Sequence, residues 1–224
     1  MPTLDLGRLV GEKHPPFVIA AVDATKLGSI EHAIAAIDAA SAAGCDAVKL
    51  TSLPWTWCAR VYNHADPRGI KLFTTVADER SIERLDWFGA PAFEIFFDWS
   101  DLDLVACAAR TGKPLVLSVA NASDADVAEV VAVARGEGAS GIAIVQRVID
   151  GSHRSIETLR RHNVVVGISD RSAEPCMVRS AIHAGARIIE KRLTPTKLGE
   201  LPGMVRECEM AWALLGHPYE WTTN

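Results

Sequence analysis

An excess of positive charge is missing from this sequence: 23 Lys and Arg against 28 Asp and Glu leave a net charge of -5. No global positive field exists to draw in nucleic acid or an anionic membrane surface. Nor does any run approach the roughly 18 apolar residues of a membrane span. The opening Met1-Pro2-Thr3-Leu4-Asp5-Leu6 lacks the basic region and apolar stretch of a signal peptide. The cysteines are few and odd in number: Cys45, Cys58, Cys107, Cys176 and Cys208 stand far apart with no C-x-x-C pair. That pattern fits reduced thiols in a cytoplasmic protein, most of them small core residues, better than a disulfide framework. The seven histidines contain no H-x-x-x-H and no cluster with cysteine at zinc spacing. With 49% hydrophobic and 23% charged residues, the chain is neither disordered nor of low complexity.

What is present is a repeat. Gly44, Gly69, Gly89, Gly112, Gly138, Asn163 and Gly185 each stand between an amphipathic stretch and an apolar run, at spacings of 20 to 26 residues. Gly or Asn at such a place ends a helix in the left-handed conformation and turns the chain into a strand. The seven strands so introduced (DAVKL, IKLFTTV, APAFEIFF, KPLVLSV, ASGIAIV, VVVGIS and ARIIEK), with FVIAAV before the first, make eight. Eight closes a parallel (β/α) barrel, and near-continuous apolarity such as VVVGI suits strands covered on both faces. Ile30, Ile34 and Ile37 have helical spacing, as do Ile82, Leu85 and Phe88 after an Asp78 N-cap, and Leu198 to Leu215 reads as a final helix. PWTWCARVYNHADPR, residues 54–68, is too broken by proline for a full second helix. The expected fold is a (β/α)8 TIM barrel with a shortened second helix. It is one domain over residues 1–224, its core from about 15 to 217; the runner-up is an open doubly wound sheet.

Two signals are set aside. Gly136-Glu137-Gly138-Ala139-Ser140-Gly141 matches G-x-G-x-x-G, but it closes a helix and opens a strand, the reverse of a dinucleotide fingerprint. Cys58 and His64 share a segment with nothing to orient them as nucleophile and base.

Barrel chemistry sits at the C-terminal ends of the strands. The polar residues there are Asp23; Lys49 and Thr51; Thr74 and Thr75; Glu94 and Asp98; Ser118 and Asn121; Gln146 and Arg147; Ser169, Asp170 and Arg171; and Glu190, Lys191 and Arg192. Lys49, Glu94 and Glu190 interrupt otherwise apolar strands, so they need each other or a ligand as partners.

The ordered segments FVIAAVDATKLGS, GCDAVKLTS, GAPAFEI, TGKPLVLS, VVVGISDRS and GARIIEKRLT resemble the N-acetylneuraminate (sialic acid) synthase family over about Pro16 to Leu215. The resemblance implies a barrel that condenses phosphoenolpyruvate with an aldehyde sugar such as N-acetylmannosamine, using a divalent metal. It also implies a C-terminal antifreeze-like domain reaching into the partner's site, before which this chain ends. On the family's pattern Lys49 faces phosphoenolpyruvate, Ser118 and Ser169 lie near its phosphate, and Asp170 and Glu190 match the acids of S-D-H and E-K-H. The departures are as specific. The first-strand glutamate motif E-I-G-x-N-H-x-G reads Ala21-Val22-Asp23-Ala24-Thr25-Lys26-Leu27-Gly28, the P-A-x-K lysine is Glu94, and the two metal-binding histidines are Arg171 and Arg192. A guanidinium has no lone pair for a metal, so the expectation is a lost metal site and no cofactor.

Several roles stay open. Arg171 and Arg192 either clamp a carboxylate or phosphate or pair with Asp170, Glu190 or Glu94. Lys49 is an anion contact, a Schiff-base nucleophile or a structural partner of Glu94. Trp55, Trp57 and Tyr62 either form a lid over a sugar-like ligand or pack against the second helix. The leading expectation is a metal-independent enzyme acting on a small anionic keto-acid or sugar-like substrate by aldol-type carbon-carbon bond formation or cleavage. Its catalytic residues are Lys49, Glu94 and Glu190; its substrate contacts are Ser118, Ser169, Asp170, Arg171, Lys191 and Arg192. The alternatives are a catalytically lapsed barrel serving as a ligand-binding or regulatory partner subunit and, third, a phosphoenolpyruvate-dependent N-acetylneuraminate synthase. A homodimer or a partner synthase subunit is the expected assembly, with neither nucleic acid nor membrane as partner.

Overall fold

The computed structural model describes residues 2–97, 101–120, 123–148, 154–171 and 175–216. Within them a short antiparallel hairpin, β1 (Thr3–Asp5) and β2 (Leu9–Gly11), precedes a parallel sheet. Its strands are β3 (Phe17–Asp23), β4 (Ala47–Thr51), β5 (Lys71–Phe73), β6 (Thr75–Val76), β7 (Phe93–Phe97), β8 (Leu115–Val119), β9 (Ile142–Val148), β10 (Val165–Asp170) and β11 (Ile188–Leu193). In space they run β5-β4-β3-β11-β10-β9-β8-β7-β6. The two outermost strands are halves of one stave, parted only by Thr74. β5 bonds to β4 and β6 to β7, so the sheet closes on itself with eight staves.

Among the described residues one helix follows each stave: α1 (Ile30–Ala42), α2 (Trp55–Ala65), α3 (Glu79–Trp87), α4 (Leu102–Ala109), α5 (Asp124–Gly136), α6 (Arg154–Arg160), α7 (Pro175–Ala184) and α8 (Leu201–Leu214). The fold is a (β/α)8 barrel. All seven punctuating residues have positive φ, from 55° at Asn163 to 108° at Gly185. Asp78 caps α3 as its sequence suggests, its side chain accepting the Ser81 N–H at 2.7 Å in a capping box. No described helix is long and apolar enough to cross a membrane.

Two expectations need correction. The second helix is not shortened: α2 has 11 residues. Its prolines fall outside it, Pro54 at the N-cap and Pro67 in the 3-10 turn at Asp66–Arg68, where neither removes an intrahelical hydrogen bond. The chain before residue 15 is also part of the core. Leu4, Leu6 and Val10 of the hairpin are buried against Phe17, Ile19, Ala47, Phe73, Val116, Val145, Val165 and Ile188, the inward residues at the barrel's N-terminal end. Arg8 ties the hairpin down by a fork to both Asp46 oxygens, at 2.5 and 2.7 Å. The plug explains Gly141, where a Cβ would stand 2.5 Å from the Cβ of Leu4.

Candidate active site

Side chains alternate across a strand, so the apolar plug level fixes which residues face the lumen above it. Two residues beyond inward Ala47, Ala92, Val116 and Ile188 come Lys49, Glu94, Ser118 and Glu190; Ser169 lies four beyond Val165. All five are buried. Gly167, between Val165 and Ser169, leaves room for Ile188, whose Cβ and carbonyl oxygen would lie 2.6 Å from an added Cβ. Two residues farther toward the mouth than Ser169 and Glu190 are Arg171, just after β10, and Arg192, on β11; Arg147 on β9, two beyond inward Val145, stands in register with Ser169.

The floor of the lumen is a closed ionic cluster. Lys49 Nζ donates to Glu94 Oε1 and, at 2.8 Å, to Glu190 Oε2. Ser169 Oγ donates to Glu190 Oε1 at 2.6 Å. Burial works to lower the Lys49 pKa, but the two carboxylates outweigh it and hold the ammonium above its ordinary value. Burial likewise opposes ionisation of Glu190, which Lys49 and the Ser169 hydroxyl nevertheless keep below the ordinary range. Glu94 goes the other way: burial pushes it up to about 7 against the pull of Lys49, and the Glu190 charge adds to the rise. One floor acid is therefore ionised and the other is poised to exchange a proton near neutral pH. An amine held protonated is a poor Schiff-base nucleophile, and of the three roles open to Lys49 this geometry provides the pairing with Glu94.

The rim carries a different balance. Among the described residues Arg147, Arg171 and Arg192 form no ion pair. Burial, then the like charges of Arg192 and Arg147, lower the Arg171 pKa. Arg147 lies with its guanidinium carbon 5.0 Å from the centre of the half-exposed Phe96 ring, and its buried Nε has no partner among the described residues. Arg147 lies outside the expected contact set, and its spacing of two from inward Val145 is the signal in the sequence that finds it.

Asp170 and Lys191 are not brought to this lumen. They share the outward alternation of Ile168 and Ile189, which pack against the helices, and pair with each other at 2.6 Å. Asp23 caps the 3-10 turn that follows β3, accepting the Thr25 N–H at 3.1 Å. Gln146 Nε2 donates to the Ala120 carbonyl at 2.6 Å. Asp98 and Asn121 lie outside the described residues. The aromatic residues of α2 pack outside the barrel: Tyr62 stacks on Phe88 at 5.2 Å, Arg84 lies over Trp55, and Trp57 packs on the outer core. His64 meets Asp38 at 2.7 Å, while burial pushes the Cys58 thiol up to about 11, so these two do not form a nucleophile and base.

Similarity to known proteins runs along the same strands. The spore coat polysaccharide biosynthesis protein SpsE of Bacillus subtilis is 28% identical over 88% of this chain and 64% of its own. Its crystal structure superimposes with a TM-score of 0.84 and 25% identity, covering 98% of this chain and 75% of that one. Pseudaminic acid synthase of Campylobacter jejuni is 24% identical over 78% of this chain and 64% of its own. The chain thus spans under two thirds of the length of these two relatives. Residues 50–211, which include Glu94, Ser118, Ser169, Glu190 and all three rim arginines, match the NeuB family, and the chain belongs to that family.

Proposed function

We propose that this protein is a sugar-acid synthase-like enzyme that binds an anionic keto-acid or sugar-like substrate at the arginine rim and makes or breaks a carbon-carbon bond without a divalent metal. The observation that carries the reading is the juxtaposition of three guanidiniums that form no ion pair among the described residues with a buried carboxyl pushed up to about 7. Guanidinium forks suit carboxylate and phosphate oxygens. They offer no lone pair to a cation, and Glu190 already spends both oxygens on Lys49 and Ser169. The donor set therefore does not fit the family's metal, and no step is routed through one. In the condensing direction the enol carbon of the keto acid attacks an aldehyde carbon while the enol loses its proton to solvent. The new alkoxide takes the Glu94 proton. In cleavage the Glu94 carboxylate removes that hydroxyl proton and the same bond breaks. Lys49 and Ser169 hold Glu190 ionised, which keeps Glu94 the group that exchanges a proton.

Thermal shift with phosphate, pyruvate, phosphoenolpyruvate and N-acetylmannosamine, each with Mn or with chelator, tests the binding half, since a ligand of the native state raises stability. Stabilisation by an anion that is indifferent to metal and falls in Arg171→Ala supports the reading. Product formation that requires Mn overturns it. The saturation of Lys49 by two acids favours a second reading, a lapsed barrel that binds the same anion without turnover. Product formation by the native protein that falls sharply in Glu94→Gln excludes that one.

A further inference from the structure

A second concentration of guanidinium groups lies at the opposite end of the barrel. Arg187 immediately precedes β11. Its N–H donates to the Val166 carbonyl at 2.7 Å and its own carbonyl accepts from Phe17 at 2.8 Å, so its place beneath the sheet is fixed. The side chain stacks on Trp212 at 5.1 Å, and one terminal nitrogen donates to the carbonyls of Ile182 and Ala186 at 3.1 and 2.8 Å. Arg187 is only 8% exposed, yet its Nε has no partner among the described residues. A buried donor left unsatisfied is costly, and such a group in a native fold calls for a missing partner.

A cavity of about 420 Å³ adjoins Arg187, bounded also by Glu12, Glu157, Arg160, Arg161 and Val165. Arg160 crosses Gly185, where an added Cβ would stand 2.8 Å from its Cδ. It meets Glu12 at 3.4 Å, longer than the roughly 2.7–2.9 Å of a charge-assisted hydrogen bond. The carbonyls of His162 and Asn163, which would repel an anion here, already accept from Arg135 at 3.0 and 2.9 Å. Three arginines against two glutamates leave this lining with one surplus positive charge.

We propose that this cavity is a second anion site, for the carboxylate or phosphate head of a small metabolite, at the end of the barrel remote from the arginine rim. The head lies beside Arg187 and draws Arg160 and Arg161 onto itself. Its walls include the starts of β10 and β11, the strands that present Ser169, Arg171, Glu190 and Arg192 at their other ends. An occupant thereby braces the hairpin plug against the two strands most concerned with the rim.

The test is calorimetric titration of inorganic phosphate, and separately acetate, into the full chain carrying Arg171→Ala and Arg192→Ala, and into the same protein with Arg160→Ala added. The expected result is one equivalent of anion bound by the first protein and binding at least about tenfold weaker in the second. Saturation by phosphate alone identifies a phosphate ligand, and saturation by both admits a carboxylate. If the first protein binds neither anion, or if Arg160→Ala leaves binding unchanged, the site does not exist. The unmodified chain separates this inference from the rim: it should bind one equivalent more than the double variant. Equal stoichiometry in the two would refute the rim reading and leave the second site standing.

Discussion

Replacing Glu94 with glutamine keeps the shape of the side chain and removes its ionisation. In the native state burial holds this carboxyl at about 7, whereas in the unfolded chain it titrates near its ordinary 4.5. Between those values the native protein keeps a proton that the unfolded chain has released. The stability this group contributes is therefore complete below pH 4.5 and is lost as the pH rises through 7. At about 1.4 kcal/mol per pH unit, that gap amounts to about 3 kcal/mol. Glu94→Gln carries no such titration, so its stability relative to the native protein should improve by about 3 kcal/mol between pH 4.5 and 8. In a chain of this size that corresponds to roughly 6 to 12 °C in Tm. Urea unfolding of both proteins at half-unit steps of pH measures the difference. Glu190 does not confuse the comparison, because its lowered pKa places its own loss of stability below 4.5, outside the window. Stability curves that stay parallel from pH 5 to 8 would refute a poised acid at position 94 and, with it, the proton transfer assigned to Glu94.

With the second cavity disabled by Arg160→Ala, Arg171→Ala and Arg192→Ala should each abolish stabilisation by phosphate or pyruvate with chelator present, read by thermal shift, while leaving the Tm without anion nearly unchanged. Lys49→Met leaves two buried carboxylates without their cation and should cost about 3 to 5 kcal/mol at pH 8; the loss should shrink at pH 5 as Glu94 takes up its proton, and denaturant unfolding at the two pH values checks it. Leu4→Ala should cost about 2 to 5 kcal/mol by emptying the plug, and Gly141→Ala about 1 to 3 by driving a methyl into Leu4. In both plug variants calorimetry should find anion affinity at the rim unchanged.

The barrel is legible because its signals are local and repeated. Gly or Asn at each helix end is a backbone requirement, and the apolar runs that follow need no distant partner to be recognised. The hairpin escapes notice because strands of three residues have too little alternation to read, and because Leu4, Leu6 and Val10 become core only once the barrel gives them a floor. Proline misleads at α2 since a residue that ends a helix and one that breaks it look alike until the boundaries are known. In the site, Lys49, Glu94 and Glu190 stand out as charges within apolar strands. Asp170 and Lys191 each stand beside an inward residue, Ser169 or Glu190, and one step along a strand is the difference between lumen and helix layer. Arg147 obeys the same alternation from Val145, and it belongs with the other two rim arginines.

The resemblance in sequence implies a lysine at the position of Glu94 and histidines at those of Arg171 and Arg192. Glu94 draws Lys49 into the floor, where two acids meet one base, and Arg171 and Arg192 stand two residues, or roughly 7 Å, farther along their strands than Ser169 and Glu190. Counting Lys49 and the three arginines against Glu94 and Glu190, the lumen carries a surplus of two positive charges with Glu94 ionised and three with it protonated. An anion settling on the rim therefore favours the protonated state and raises the Glu94 pKa above 7. Binding near pH 7.5 should then take up a fraction of a proton from solution. Calorimetry in two buffers of different ionisation heat reads that fraction directly, with the second cavity disabled by Arg160→Ala so that only the rim is observed. The uptake should vanish in Glu94→Gln while the affinity remains. Binding that exchanges no proton in either protein would mean that the rim and the floor are electrostatically independent, and Glu94 would then have no means of sensing its substrate.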